Sequence, residues 1–179
     1  ELTVAADHDM ALNNLERYGA SVDRPVLFST LASHPGAVPL LATIGGASQV
    51  LADTLRRHPQ LLAWLLEPAV MREWSAEDLA AELAGTLAAF KTREARGNAL
   101  RRFKYRQLLR IGARDLLGDA DLAATTHELA NLADVCLAAA GGDAAAAARA
   151  QYGVPRDEEG QETGLAIIGM GKLGGQELN

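Results

Sequence analysis

Residues 165–179 read LAIIGMGKLGGQELN: an apolar run, a burst of glycines, a lysine and the opening of another element. Leu165-Ala166-Ile167-Ile168 is short, continuous and bounded by glycine, which is the pattern of a buried strand. Gln176-Glu177-Leu178 reads as the first turn of a helix. Glycines between a strand and a helix let the backbone approach a phosphate, and the N–H groups of a helix start offer it donors. Gly169-x-Gly171-x-x-Gly174 also fits the G-x-G-x-x-G of a dinucleotide-binding turn. That signal is weak alone, because its acidic partner ~20 positions later falls past Asn179. A Walker A loop is excluded more firmly: its lysine follows the last glycine, whereas Lys172 precedes Gly174-Gly175. A tight turn without ligand fits the motif as well.

What precedes this stretch has a different period. The polar, breaker-rich GVPRDEEGQET, residues 153–163, reads as an exposed linker. Upstream of it, apolar residues recur every three to four positions. Leu12, Leu15 and Tyr18 form a first stripe ending at Gly19. Pro25 opens a short helix that ends at the SHPG of 33–36, and Val38, Leu41 and Ile44 form the next, closed by Gly45-Gly46. Val50, Leu51 and Leu55 share a face, and His58 before Pro59 ends that helix. Pro59 then starts a short helix that Pro68 ends. Ser75-x-x-Asp78 is a capping box ahead of Leu79, Leu83, Leu87 and Phe90. A long basic helix is expected from Arg93 to Leu117. Asp121 caps a further one carrying Leu122, Leu129, Leu132 and Cys136, which stops at Gly141-Gly142. Asp143 then caps an alanine-rich helix that Gly153 stops.

Composition agrees with packed helices. Hydrophobic residues make up 49% of the 179 but aromatics only 4%, so leucine and alanine must fill the core. The net charge of −6 argues against a general nucleic-acid binder. One cysteine, Cys136, permits no internal disulfide and suits a reducing cytoplasmic setting. No run reaches the roughly 18 to 20 apolar residues of a membrane span, and no signal peptide is expected. Glu1 at one end and a bare turn motif at the other lead us to expect a piece of a longer protein.

Candidate chemistry is sparse. Arg101, Arg102, Lys104, Arg106, Arg110 and Arg114 could meet an anion, but a solvated face paired with nearby acids explains them more cheaply. His8, His34, His58 and His127 lie far apart with no cysteine at ligand spacing, so no metal site is expected. Asp115, Asp119 and Asp121 flank a glycine turn as caps, and Cys136 on its apolar stripe is expected in the core.

The stretch IIGMGKLGGQELN resembles the start of the nucleotidyltransferase motif of the glutamine synthetase adenylyltransferase family. The segments GASQVLADTLRRHPQLLAWL, LRRFKYRQLLRIGARDLLG and HELANLADVCLAAA resemble that family's helical segments in the family's order. The likeness runs from about Leu12 onward. GMGKLGG with ELN, and the Trp64-Leu65 pair after the RHP segment, are similar to the N-terminal, adenylyl-removing half.

The resemblance implies a mainly α fold. A helical domain over 1–152 and a linker over 153–163 would precede the truncated first strand and turn of a DNA polymerase β-like α/β nucleotidyltransferase domain over 164–179. It implies that Gly174 and Gly175, with Lys172 beside them, hold nucleotide phosphates. It further implies Mg²⁺ bound by an Asp-x-Asp pair expected beyond Asn179, so no catalytic residue lies in the chain and the chain alone is expected to be inactive. ATP, ADP and phosphate are the implied substrates or products. Glutamine synthetase and the PII signalling protein are the implied partners, with no nucleic acid or membrane among them. Arg110 and Arg114 are candidates for an interdomain contact. An NAD(P)-binding oxidoreductase with a helical N-terminal domain, and a non-enzymatic helical interaction module, remain as alternatives.

Overall fold

Side-chain caps begin the helices that follow Asp7, Ser48, Ser75 and Asp121. The computed structural model describes residues 5–178, and among them the chain is mainly helical. Its elements are α1 His8–Ser21, α2 Arg24–Ser33, α3 Ala37–Ala47, α4 Gln49–Arg57, α5 Leu61–Leu65, α6 Ala76–Ala88, α7 Arg93–Leu117, α8 Leu122–Tyr152 and α9 Gly171–Gly174. Asp7 caps α1 through the Met10 N–H at 2.9 Å, and Ser48 accepts from the Leu51 N–H to start α4. Ser75 and Asp78 form the full capping box of α6. Asp121 accepts the Ala124 N–H at 2.8 Å at the head of α8. The chain divides into two compact units, Glu1–Glu73 with Tyr105–Thr125, and Trp74–Lys104 with Thr126–Asn179.

In the first unit α1 packs on α3 and α4. Tyr18, Leu41, Ile44, Leu55, Leu62, Leu65 and Leu109 belong to its buried core. Gly45-Gly46, expected to close α3, instead lie inside it, and Gly19 likewise lies inside α1. The glycine pair serves close approach: a Cβ on Gly46 would stand 2.8 Å from both Ala5 Cβ and the Asp7 carbonyl oxygen. Asn14 uses the same closeness, donating to the Gly45 carbonyl at 2.8 Å. Tyr18 donates to the Pro59 carbonyl at 3.1 Å, and burial pushes its hydroxyl up to about 12. Arg106 stacks its guanidinium 5.0 Å above the Trp64 ring. Val50 is exposed, so the α4 stripe narrows to Leu51 and Leu55.

In the second unit Leu79, Leu83, Leu87, Ala99, Phe103, Ala130 and Leu132 are buried. Glu128 is fully buried and accepts the Trp74 N–H at 2.9 Å. The stop expected at Gly141-Gly142 does not occur, since α8 runs unbroken to Tyr152. Two glycines cost a helix about 2 kcal/mol, which the long alanine-rich flanks offset. Asp143 therefore caps nothing. It forms a two-pronged pair with Arg96, Nε to Oδ2 at 2.8 Å and Nη2 to Oδ1 at 2.7 Å.

That pair makes a pH-dependent prediction. The Arg96 guanidinium holds the Asp143 carboxyl below its usual range. A lowered native pKa adds stability that is present above the unfolded value, about 4, and is lost as pH falls through the native one. Asp143→Ala should therefore lower the melting temperature at pH 7, and the gap to wild type should shrink through and below about pH 4. A gap independent of pH would show that Asp143 acts by packing alone.

Candidate phosphate-binding turn

Leu165–Ile168 does not form the expected strand: residues 164–170 belong to no helix and no ladder among the described residues. A strand exists only by hydrogen-bonding to a neighbour, and none runs beside this one. Its side chains are correspondingly bare, with Leu165, Ile168 and Met170 all more than 70% exposed. One isolated antiparallel bridge, Arg156 with Glu162, closes the loop before it. Gly160, at φ 80°, lets that loop turn, and Arg149 pairs with Glu162 at 2.8 Å.

The helix start expected at Gln176 is displaced as well. The helical turn is Gly171–Gly174, and Gln176, with φ 56°, leaves it in the left-handed region. Gly171 enters at φ 59°, a conformation that glycine adopts without strain. The turn closes on itself: the Gly174 N–H points to the Met170 carbonyl at 3.5 Å and the Gly175 N–H donates to Gly171 at 2.9 Å. Gln176 and Glu177 donate to Leu173 at 3.1 Å and to Lys172 at 2.8 Å. In this geometry the two glycines differ. A Cβ on Gly174 would lie 2.6 Å from the Gly169 carbonyl oxygen, closer than real Cβ atoms come. A Cβ on Gly175, where φ is −85°, would find its nearest neighbour at 3.5 Å. Gly174 is required by the turn, whereas Gly175 leaves its outer face open. Lys172 is exposed on α9.

The other expected positions fall elsewhere. Arg101, Arg102 and Lys104 are exposed as a solvated face requires, but Arg110 is fully buried and Arg114 is 5% exposed. Arg110 lies inside the first unit, with Nε donating to Gln107 Oε1 at 2.7 Å and Nη1 to the Arg72 carbonyl at 2.9 Å. For these two arginines the solvated-face expectation is corrected. They follow Ala99, Phe103 and Gln107 at spacings of four and three, so they ride the buried stripe of α7. Glu128, which the sequence reading missed, stands likewise in register with buried Thr125 and Leu132. Cys136 is half-buried and burial pushes its thiol up, against the opposing pull of Lys104, as suits packing and not reactivity. Among the described residues no group of three His, Cys, Asp or Glu side chains could hold a metal ion. None of their helices is singly long and apolar enough to cross a membrane.

Comparison with known proteins finds the glutamate-ammonia ligase adenylyltransferase family pattern over residues 38–179. The chain is similar to a bifunctional glutamine synthetase adenylyltransferase/adenylyl-removing enzyme of Shewanella loihica, 38% identical over 139 residues, covering 78% of the chain and 14% of that protein. A protein of the same description from Thioalkalivibrio sulfidiphilus is 36% identical over 181 residues, covering 97% of the chain and 19% of its own length. The chain thus spans less than a fifth of the curated relatives it matches.

Proposed function

This chain belongs to the glutamate-ammonia ligase adenylyltransferase (GlnE) family, and from that premise we propose that it carries the helical block and opening nucleotidyltransferase motif of an adenylyl-removing half. The helical domain is 1–152, the linker 153–163, and residues 164–179 enter the catalytic domain. The choice of half is supported by GMGKLGG with ELN and by Trp64-Leu65 after the RHP segment. The observation that carries the site is the glycine turn, which is closed at Gly174 and open over Gly175.

The reaction of the whole enzyme is phosphorolysis of the AMP–tyrosine ester on glutamine synthetase. A phosphate oxygen attacks the AMP phosphorus, the bond to the tyrosine oxygen breaks, the tyrosine takes a proton and ADP leaves. Gly175 gives the nucleotide phosphates a side-chain-free approach, and Lys172 adds positive charge beside it. Mg²⁺ enters this reading through the family alone. The described residues do not fit a metal site, and the Asp-x-Asp pair is assigned beyond Asn179. Glutamine synthetase and PII are the partners of this reading, and the cytoplasm its location. Arg110 and Arg114 are carried forward as candidate contacts to the catalytic domain, although Arg110 already supports the helical unit of this chain.

The test compares this chain with a full-length relative, each given adenylylated glutamine synthetase, phosphate and Mg²⁺. ADP is expected from the full-length protein and not from the chain. ADP release by a sample of verified 179-residue length would overturn the assignment of the catalytic carboxylates.

A further inference from the structure

Gly141 has helix on both sides, where glycine is about 1 kcal/mol worse than alanine. A Cβ there would lie 2.9 Å from Ile167 Cδ1, while a Cβ on the adjacent Gly142 would meet nothing within 4 Å. Ile167 is 52% exposed, against 75% for Leu165, 82% for Ile168 and 83% for Met170. It is the best-seated of the four. Leu165 in turn lines a groove of about 470 Å³ together with Ala144, Ala145 and Ala148 of α8. Beneath these residues Gly141, Ala145 and Ala148 form a face with no side chain larger than a methyl group.

We propose that this face is a track seating the segment that leads into the glycine turn, and that Gly141 is a positioning residue acting through Ile167. Which ligand the turn holds rests on the reading under Proposed function; the seat is a property of this chain. The alanine-rich half of α8 then has a use beyond helix propensity, since larger side chains would lift the segment away. Only Ile168 stands between Ile167 and Gly169, so displacement at the seat shifts the start of the turn.

Lys172 is the only lysine or arginine after Arg156, so trypsin reports on the segment at a single bond. Cleavage there is to be timed in the wild-type chain, Gly141→Ala, Gly142→Ala, Ile167→Val and the double variant Gly141→Ala/Ile167→Val. Gly141→Ala should turn the Ile167 δ-methyl, the far end of a flexible side chain, out of its place and speed cleavage about twofold, by raising the local opening of the segment. Ile167→Val, which empties the notch, should do the same. In the double variant the new Cβ takes the place of the lost methyl, and the rate should return most of the way to wild type. Gly142→Ala should leave the rate unchanged while raising the melting temperature through helix propensity. Equal rates in Gly141→Ala and Gly142→Ala, or a double variant cleaved as fast as Gly141→Ala, would overturn the seat. No nucleotide takes part in cleavage, so failure of the proposed reaction would leave this result standing, and the reverse holds too.

Discussion

Arg110→Ala is expected to lower the melting temperature of the chain by about 12 to 24 °C. The substitution removes a fully buried guanidinium and leaves Gln107 Oε1 and the Arg72 carbonyl without the donors they now have at 2.7 and 2.9 Å. Of the two bonds only the one to Gln107 Oε1 is fully buried, and its loss costs about 1 to 3 kcal/mol; the cavity left by the long side chain adds to that. A loss of about 3 kcal/mol, at roughly 4 to 8 °C per kcal/mol for a unit of this size, gives the stated range. Arg110→Met separates the two causes, because methionine refills much of the volume without restoring a donor. Most of the loss should persist in it. Arg17→Ala, on the exposed side of α1, is the control and should stay within about 0.5 kcal/mol of wild type. If Arg110→Ala melted like Arg17→Ala, Arg110 would not be a structural arginine, and a purely interdomain role would regain its place.

The sequence reading missed this because it judged α7 by its charge and not by its register. Six basic residues over 101–114 read as one wet face, yet they are spread around the helix. Those at the spacing set by Ala99 and Phe103 go inside, Arg106 lies half-buried over Trp64, and Arg101, Arg102 and Lys104 go to solvent. The helix starts were legible for the opposite reason, since a cap is a local hydrogen bond between residues three apart. Ser75 and Asp121 needed nothing distant to be right.

Glycine pairs were the least legible feature. Absence of a Cβ serves a helix stop, a close helix crossing and a side-chain notch equally well, and only tertiary structure tells them apart. Gly45-Gly46 proved to be a crossing, and Gly141 faces Ile167 from within a continuous helix. The apolar run at 165–168 was legible as a departure from helix but does not form the strand, because a strand requires a partner that local pattern does not supply. The dinucleotide alternative rested on glycine spacing alone, and the family match over residues 38–179 outweighs it.

In the full-length enzyme, Gly175→Val should cost on the order of 10²-fold in phosphorolysis rate, the usual penalty for misplacing a reacting group by about 1 Å. The structure makes this a test of ligand approach and not of turn integrity. At Gly175 the backbone sits at φ −85°, and a Cβ would make only ordinary van der Waals contact, 3.5 Å from its nearest neighbour, so the turn itself accepts a Cβ. At Gly174 it does not: the Gly169 carbonyl oxygen, 2.6 Å from the Cβ position, would have to move. Gly174→Ala should therefore abolish activity by opening the turn, and should speed trypsin cleavage at Lys172 in the isolated chain. Gly175→Val should show its roughly 10²-fold loss with the turn intact and cleavage unchanged. The helical units, whose buried cores lie in other segments, should melt at the wild-type temperature in both variants. Gly175→Val also reports on the half to which this chain belongs, because it should stop AMP removal while leaving AMP attachment to glutamine synthetase near the wild-type rate. Loss of attachment instead would move the chain to the adenylylating half. Removal at wild-type rate in Gly175→Val would mean that no phosphate comes near this glycine, and that the turn serves only to reverse the chain.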